Sequence, residues 1–594
     1  MMKESSRNPQ AVGTLIDLWA GTVQRRPDAQ AVRDDRIELN YRELDRASNA
    51  VALQLIEVGV RPEDRVALYL RRSAGLFAGI LGVLKAGGAY VAVDPRYPPA
   101  RRDMMIEGSG ADIVLTEPDW IGDVSARKVL SLPPRDTASD ESLPPVPVQA
   151  KNAACVLFTS GSSGKPKATI LEHGNIVSFA RNGALPALTQ NDRVGQISNV
   201  SFDAFHYETW CAFARAAQVV VLPALPDLLA SDMQRTLRRL KVSAMLIPSM
   251  ALNHIVREDR EAFSPLRILH TGGDVIFADT CRDLLDGDFA GRFLNLYGPT
   301  EATTACTAFE IRRPWPVTDS VPIGKAIDGV HLYVLDEDLT SVEAGEVGQL
   351  HIGGSGVARG YLGDQGLTAE RFLPDPFQAD GTRMYATGDL VRLRQDGDLD
   401  FIGRFDDQIK IRGYRVEPGE VERLLCQHPE VREAAVLSHG RGQDRTLVAF
   451  VVRRGALQHG ELRAFAQRVL PDYMVPSKII ILTKIPATEN GKRDRDALLA
   501  QLEAERARES NYEPPTGPSE RLLAEIWTDL LALESVGSRD DFFALGGNSM
   551  LALRVRQRVK REAGAVLKFS DILEKPVLGD LAKVLETSMR TART

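Results

Sequence analysis

The sequence predicts a layered α/β protein with a smaller α+β unit and a small all-α domain of four helices behind it. Three observations lead there. Buried-looking runs such as Arg65–Leu70, Tyr90–Val93, Asp112–Leu115 and Gln218–Leu222 alternate with helical patterns such as Ala74–Leu84 and Asp232–Leu240, the signature of layered α/β units. From Gly403 the texture changes to a charged strand pair, 408–411 and 414–416, then a helix over Pro418–Cys426, strands at 434–437 and 447–452, a helix at 460–470 and one more strand. Beyond residue 518, Leu522, Leu523, Ile526, Trp527, Leu530 and Leu531 form an apolar stripe at helical spacing, and helical patterns recur at 549–562 and 577–585.

The stretch QLEAERARESNYEPPTGP runs from a charged helical pattern into Pro, Gly and polar residues, which predicts a linker at 501–517. The expected domains are therefore 1–404, 405–500, 501–517 and 518–590. The 594 residues allow about three to six folded units. Lys+Arg 73 against Asp+Glu 80 gives a net charge of −7, which exerts no overall pull toward nucleic acid or an anionic membrane. The five cysteines are scattered, with no CxxC or Cys/His cluster, which speaks against a zinc site or a disulfide framework. The polar start MMKESSRNPQ and the interrupted apolar stretch 76–93 give neither a leader nor a membrane span, so a cytoplasmic protein is expected.

The sharpest local feature is Phe158-Thr-Ser-Gly-Ser-Ser-Gly-Lys-Pro-Lys-Ala168 after an apolar run. Backbone N–H groups, hydroxyls and lysines at this density suit a polyphosphate. A Walker A loop is excluded, because Thr159 stands where its first Gly belongs and Pro166 follows the lysine. The run resembles the phosphate-binding loop of the ANL adenylating superfamily, which includes acyl-CoA synthetases, luciferases and the adenylation domains of nonribosomal peptide synthetases. Further matches follow in family order: Leu39-Asn-Tyr-Arg-Glu-Leu44, Leu84-Lys-Ala-Gly-Gly-Ala-Tyr90, Phe202-Asp-Ala204, Asn295-Leu-Tyr-Gly-Pro-Thr-Glu301, Gly353-Gly-Ser-Gly-Val-Ala-Arg-Gly-Tyr361, Tyr385-Ala-Thr-Gly-Asp389, Gly403-Arg-Phe-Asp-Asp-Gln-Ile-Lys-Ile-Arg-Gly413 and Asn490-Gly-Lys-Arg-Asp-Arg495. Ala168 departs from the family's usual Gly.

The resemblance implies a ligase that joins a carboxylate to the α-phosphate of ATP and releases pyrophosphate. It implies that Thr159, Ser160, Gly161, Ser162, Ser163, Gly164 and Lys167 hold the β/γ-phosphates. Thr300 is expected at the α-phosphate, and Glu301 on Mg²⁺, a hard cation suited to carboxylate and phosphate oxygens. Gly272, Gly273, Asp274, Asn295 and Tyr297 are expected around the adenine, with Asp389 on the ribose hydroxyls beside Arg404. Lys492, on the mobile lid, is expected to bridge the substrate carboxylate and the α-phosphate; a lysine in an Asn-Gly turn is otherwise a solvated charge. Asp406 matches the family hinge, about which Lys492 would leave and the loop Lys410–Gly413 enter.

Asp203 is the position where amino-acid-activating members pair the substrate α-ammonium; a buried carboxylate needs such a partner. The remaining side-chain pocket is carried over as Ala204, Tyr207, Leu246, His270, Gly272, Leu296, Thr304 and Ala305, with Lys492. No carboxylate or lysine other than these two faces it, so a neutral medium or large side chain is expected: leucine or a similar branched residue, with an aromatic or hydroxylated one as the alternative. Asp541-Phe-Phe-Ala-Leu-Gly-Gly-Asn-Ser549 resembles the carrier signature in which Ser549 receives 4′-phosphopantetheine, at a helix start that favours the phosphate; by itself the motif also fits an N-cap serine. The reading is an adenylation–carrier didomain. Its expected partners are a phosphopantetheinyl transferase, a condensation domain or tailoring enzyme in trans and, as an open option, a small activator protein. A free-standing acyl- or aryl-CoA ligase is the alternative, disfavoured by Asp203 and by residues 518–594.

Overall fold

A computed structural model describes residues 13–591 except 125, 135–142, 162–165, 230–231, 314–319, 380, 406–407, 412, 441–444, 455–458, 487–492, 509–512, 532 and 534. The sheets and helices are those of the described residues. The chain divides into two compact units: residues up to 159, 166–223 and 233–407 form one, and residues 160–165, 224–232 and 408–594 the other.

In the first unit the expected α/β layering takes the form of three sheets. In the seven-stranded sheet, Arg65–Tyr69, Ala89–Ala92 and Ala153–Thr159 lie side by side and parallel, and Lys167–Glu172 returns antiparallel to the last of them. The helix Ala74–Lys85 is buried on almost every side, which is why its sequence lacks a polar face. Gly82 lets it approach the helix Tyr41–Glu57: a Cβ there would meet Val51 at 2.4 Å. Asn40 and Glu43 close a capping box at the start of that second helix.

The nine-stranded sheet positions the site. Ala244–Pro248, Ile268–Gly272 and Arg292–Tyr297 are parallel neighbours, with Leu246 opposite His270, His270 opposite Leu294, and Gly272 opposite Leu296. Strand side chains alternate between faces, so Leu246, His270, Gly272 and Leu296 share one face and Asn295 and Tyr297 the other. The carboxyl ends of these strands carry Gly272 and Tyr297, the usual place for a ligand in such sheets. A third, antiparallel sheet pairs Arg383–Leu393 with Leu399–Arg404, which sets Asp389 directly opposite Arg404.

In the second unit a hairpin, Ile409–Ile411 with Tyr414–Val416, precedes the helix Pro418–Cys426, which starts with Pro at its first turn as expected. Strands Val431–His439, Thr446–Arg453 and Lys478–Leu482 form a small sheet. The helix Arg495–Arg508 runs into the expected linker and buries Leu498 and Leu502 against that sheet, so ordered packing extends past residue 500. The C-terminal part has helices Pro518–Leu531, Ser549–Ala563, Phe569–Glu574 and Leu578–Thr591. They enclose a core in which Trp527 lies 5.0 Å from Phe542, ring centre to ring centre. No helix of the described residues is long and apolar enough to cross a membrane.

Candidate functional site

Asp389 is held from two sides. Its carboxylate accepts hydrogen bonds from the Tyr297 hydroxyl and from Arg404, and Arg404 also donates to the Thr387 carbonyl oxygen at 3.1 Å. Asp389 and Arg404 are both largely withdrawn from solvent, where charge-assisted hydrogen bonds are strong. Tyr297, expected at the adenine, therefore also orients Asp389. Asn295 donates to the Pro322 carbonyl oxygen at 2.9 Å, so its amide ties down the strand's flank.

Glu301 sits in a single 3-10 turn, Thr300–Ala302, fully buried. Tyr361, at the end of the Gly353–Tyr361 motif, donates its hydroxyl to Glu301 Oε1 at 2.7 Å, and Lys167 lies 6.0 Å from the centre of the Tyr361 ring. The sequence reading did not single out Tyr361. The chain then passes through Thr303 and Thr304 with φ of 58° and 70°. Two β-branched residues in the left-handed region are unusual and costly, and both hydroxyls are committed: Thr303 to the Gly356 carbonyl oxygen at 2.7 Å, Thr304 to that of Asp203 at 2.9 Å. This strained turn had no signal in the sequence. It carries Glu301 on one side and reaches Asp203 on the other.

Asp203 starts the short helix Ala204–His206. Desolvation pushes its carboxyl up to about 6 from the usual 3.8, and the nearby Glu301 charge adds to this, while a hydrogen bond from Thr300 acts in the opposite direction. Among the described residues an anionic Asp203 thus has no counter-charge, which is the state expected of a carboxylate awaiting a cation. The helix continues through a π-turn at Tyr207–Cys211, a form that clusters at functional sites. The Tyr207 ring lies 4.6 Å from that of His270. The Tyr207 hydroxyl and both His270 ring nitrogens are buried without a hydrogen-bond partner among the described residues. Burial lowers the His270 pKa to about 3, so the ring is neutral and offers one donor and one acceptor. Gly272 is required where it stands, since a Cβ there would meet the Leu296 carbonyl oxygen at 2.4 Å. Leu246, Leu296 and Ala305 are buried and Ala204 is half-buried. Gly273, with φ of 83°, and Asp274, which accepts from the Val275 N–H at 2.8 Å, form the turn after the strand.

The phosphate loop is only partly described. Thr159 pairs with Lys167 at the neck of the hairpin, and its buried hydroxyl has no partner among the described residues, which fits an incoming phosphate oxygen. Ser162, Ser163 and Gly164 lie outside the described residues, as do Lys492 and Asp406. Within the second unit, Ser160 donates its hydroxyl hydrogen to the Arg415 carbonyl oxygen at 2.7 Å, and the Gly161 N–H donates to Glu420 Oε2 at 3.0 Å. Gly161 is therefore already on an anion. Lys410 lies opposite Arg415 in the hairpin, and Gly413, with φ of 81°, makes its turn.

For Mg²⁺ the donor set is one buried carboxylate, Glu301, with hydroxyls near it, and no three-residue cluster of metal-ligating side chains exists among the described residues. That suits a cation held by one carboxylate and by substrate phosphates.

In the C-terminal helical domain Asn548 is the N-cap: its Oδ1 accepts from the N–H groups of Met550 and Leu551 at 2.9 and 3.1 Å. Ser549 is the first helical residue, half-buried, and its hydroxyl makes no hydrogen bond among the described residues. The capping explanation for Ser549 is thereby removed. Gly547 is required where it stands, since a Cβ would meet the Phe542 carbonyl oxygen at 2.4 Å.

The chain matches the family model for AMP-binding enzymes over residues 19–362, that for the AMP-binding enzyme C-terminal domain over 420–492, and that for the phosphopantetheine attachment site over 521–585. It is 36% identical to gramicidin S synthase 2 of Brevibacillus brevis over 579 residues, covering 96% of this chain and 13% of that protein. With phosphinothricin tripeptide synthetase PhsC of Streptomyces viridochromogenes it shares 36% over 588 residues, 97% of this chain and 53% of that one. The chain thus spans only a part of these larger relatives. Among solved structures, holo-PA1221, an NRPS protein containing adenylation and PCP domains bound to a vinylsulfonamide inhibitor, superposes with a TM-score of 0.83 at 27% identity and covers 97% of both chains. An artificially fused adenylation–PCP didomain from Klebsiella oxytoca, NpsA-ThdA, gives a TM-score of 0.72 at 26% identity, over 85% of this chain and 98% of that one. Domains of these types work with ATP, Mg²⁺ and 4′-phosphopantetheine and make the chain a ligase. It belongs to the AMP-binding enzyme family, in the adenylation–carrier arrangement of the nonribosomal peptide synthetases.

Proposed function

We propose that this chain activates an amino acid as its adenylate, with release of pyrophosphate, and then loads it as a thioester onto the phosphopantetheine arm of its own Ser549. The observation that carries the reading is Asp203, a carboxylate held out of water with no cation beside it among the described residues. The α-ammonium of an amino acid supplies that cation; a fatty or aryl acid does not, which separates this reading from a CoA ligase.

Asp389 would accept the ribose hydroxyls while Arg404 and Tyr297 hold it in place. Thr159 and Lys167 would meet phosphate oxygens, and Thr300 the α-phosphate. Glu301, oriented by Tyr361, would hold Mg²⁺, which neutralises phosphate charge when bound. Lys492 would bridge carboxylate and α-phosphate. After adenylation, rotation about Asp406 would bring Lys410–Gly413 to the acyl group. A condensation domain or a tailoring enzyme would take the product from Ser549, after a phosphopantetheinyl transferase has installed the arm; a small activator protein remains an open partner.

The pocket supports a neutral side chain of medium or large size. Leucine fits the apolar lining of Leu246, Leu296 and Ala305. The unpartnered Tyr207 hydroxyl and His270 nitrogens favour a second reading, a side chain with its own hydroxyl or phenol, because buried polar groups left unpaired cost about 1–3 kcal/mol each. Pyrophosphate exchange over isosteric pairs, such as Thr against Val and Tyr against Phe, separates the two. Tyr207→Phe should abolish any preference for the polar member. Exchange with fatty acids alone, or no acyl mass gain on wild-type carrier that a Ser549→Ala variant lacks, overturns the whole proposal.

A further inference from the structure

The first unit has a second cleft, lined by none of the residues named above. A cavity of about 720 Å³ is lined by Arg25, Arg26, Arg181 and Arg215, with Gln190, Leu18, Ala214 and Ala216 as its neutral walls. No carboxylate lines it, and none of the four guanidinium groups forms an ion pair among the described residues. Arg25 donates only to the Thr22 hydroxyl, at 3.1 Å.

Each arginine has a local reason to be where it is. Arg25 closes the helix Leu15–Arg25 and Arg26 caps it; Arg181 caps His173–Ala180; Arg215 caps Ala212–Ala214. A cation at a helix C-terminus complements the dipole. What the dipoles do not explain is convergence. Three helix ends contribute about −0.5 each, against four full positive charges, so the cavity retains roughly +2.5. The turn that presents Arg215 is itself strained: Ala216 has φ of 56°, where glycine is usual, and the Ala217 N–H bonds back to the Ala212 carbonyl oxygen at 3.0 Å.

We propose that this cleft binds a compact oligophosphate, two or more phosphoryl groups on a short frame. Planar guanidinium groups match phosphate oxygens two at a time, and the volume lies in the ordinary range for small-molecule sites. The lining has no aromatic ring on which a base would stack and no large apolar pocket to anchor a protein partner. The charges surround one cavity and form no stripe, which suits a compact anion better than an extended acidic chain.

The test is calorimetric titration of inorganic tripolyphosphate into the full chain and into an R26Q/R181Q/R215Q variant. Wild type should show two classes of site, one of them the nucleotide site; the variant should lose one class, or bind there at least tenfold more weakly. Its thermal unfolding and pyrophosphate exchange should match wild type, since these arginines are exposed and lie outside the adenylation machinery. The single variants R181Q and R215Q, each expected to weaken the cleft threefold or more, serve if the triple variant is poorly folded. Identical isotherms for wild type and variants overturn the proposal. So does tighter binding of hexaglutamate than of tripolyphosphate at the same arginines, which would assign the cleft to an acidic polypeptide.

Discussion

Replacing Asp203 by Asn tests the core of the proposed mechanism, because its expected effect has a size and a pH signature. Desolvation holds the free carboxyl at about 6 rather than 3.8, a difference on the order of 3 kcal/mol in favour of the neutral form. A bound α-ammonium offsets that cost by returning a counter-charge. Removing one member of a buried ion pair costs about 3–5 kcal/mol, so Asp203→Asn should raise KM for the amino acid by roughly 10²–10⁴-fold in pyrophosphate exchange, with KM for ATP nearly unchanged. The sign of the pH dependence follows from the raised value. Above about 6 the free carboxyl is ionised and KM is flat; below it, the ammonium must bind to a site that has taken up a proton, and KM rises tenfold per pH unit. The variant should lose this slope. A wild-type KM that stays flat from pH 5 to pH 7, or a variant with unaltered KM, refutes the reasoning.

Lys492→Ala should abolish adenylate formation while leaving thermal unfolding unchanged; near-normal pyrophosphate exchange sinks its assigned role. Arg404→Ala leaves the Asp389 carboxylate with the Tyr297 hydroxyl as its only side-chain partner among the described residues, and an unpaired buried charge costs about 3–5 kcal/mol. Its KM for ATP should rise at least 100-fold and its thermal midpoint fall, whereas Arg404→Lys should recover part of both. A variant with both quantities at wild-type values would remove Arg404 from the ribose site.

Much of the fold was legible because its signals are local. Pro418 at a first helical turn marked the helix Pro418–Cys426 to the residue, and continuous apolar runs marked the central parallel strands. The antiparallel sheet that carries Asp389 gave no such run: Val330–Leu335 and Arg383–Leu393 mix buried and half-buried residues, and motif resemblance, rather than periodicity, pointed to Asp389. Residues 224–232 group with the second unit, a long-range association that composition does not encode. At the site, Asp203 and Glu301 too were pointed to by motif resemblance rather than by residue type. The strain at Thr303 and Thr304 could not be read, because threonine is no marker of the left-handed region, and Tyr361 needed a partner 60 positions away. Asn548, one residue of a quoted motif in the sequence, is in three dimensions the group that caps the helix.

That cap separates two duties that a single serine often combines. Asn548 alone holds the helix start, so an arm added to the Ser549 oxygen removes no hydrogen bond on which the fold relies. Bare and decorated forms of the domain should then melt together, and the enzyme that attaches the arm meets a hydroxyl with no prior engagement to break. Fitting the arm is, for this domain, an addition without a conformational toll.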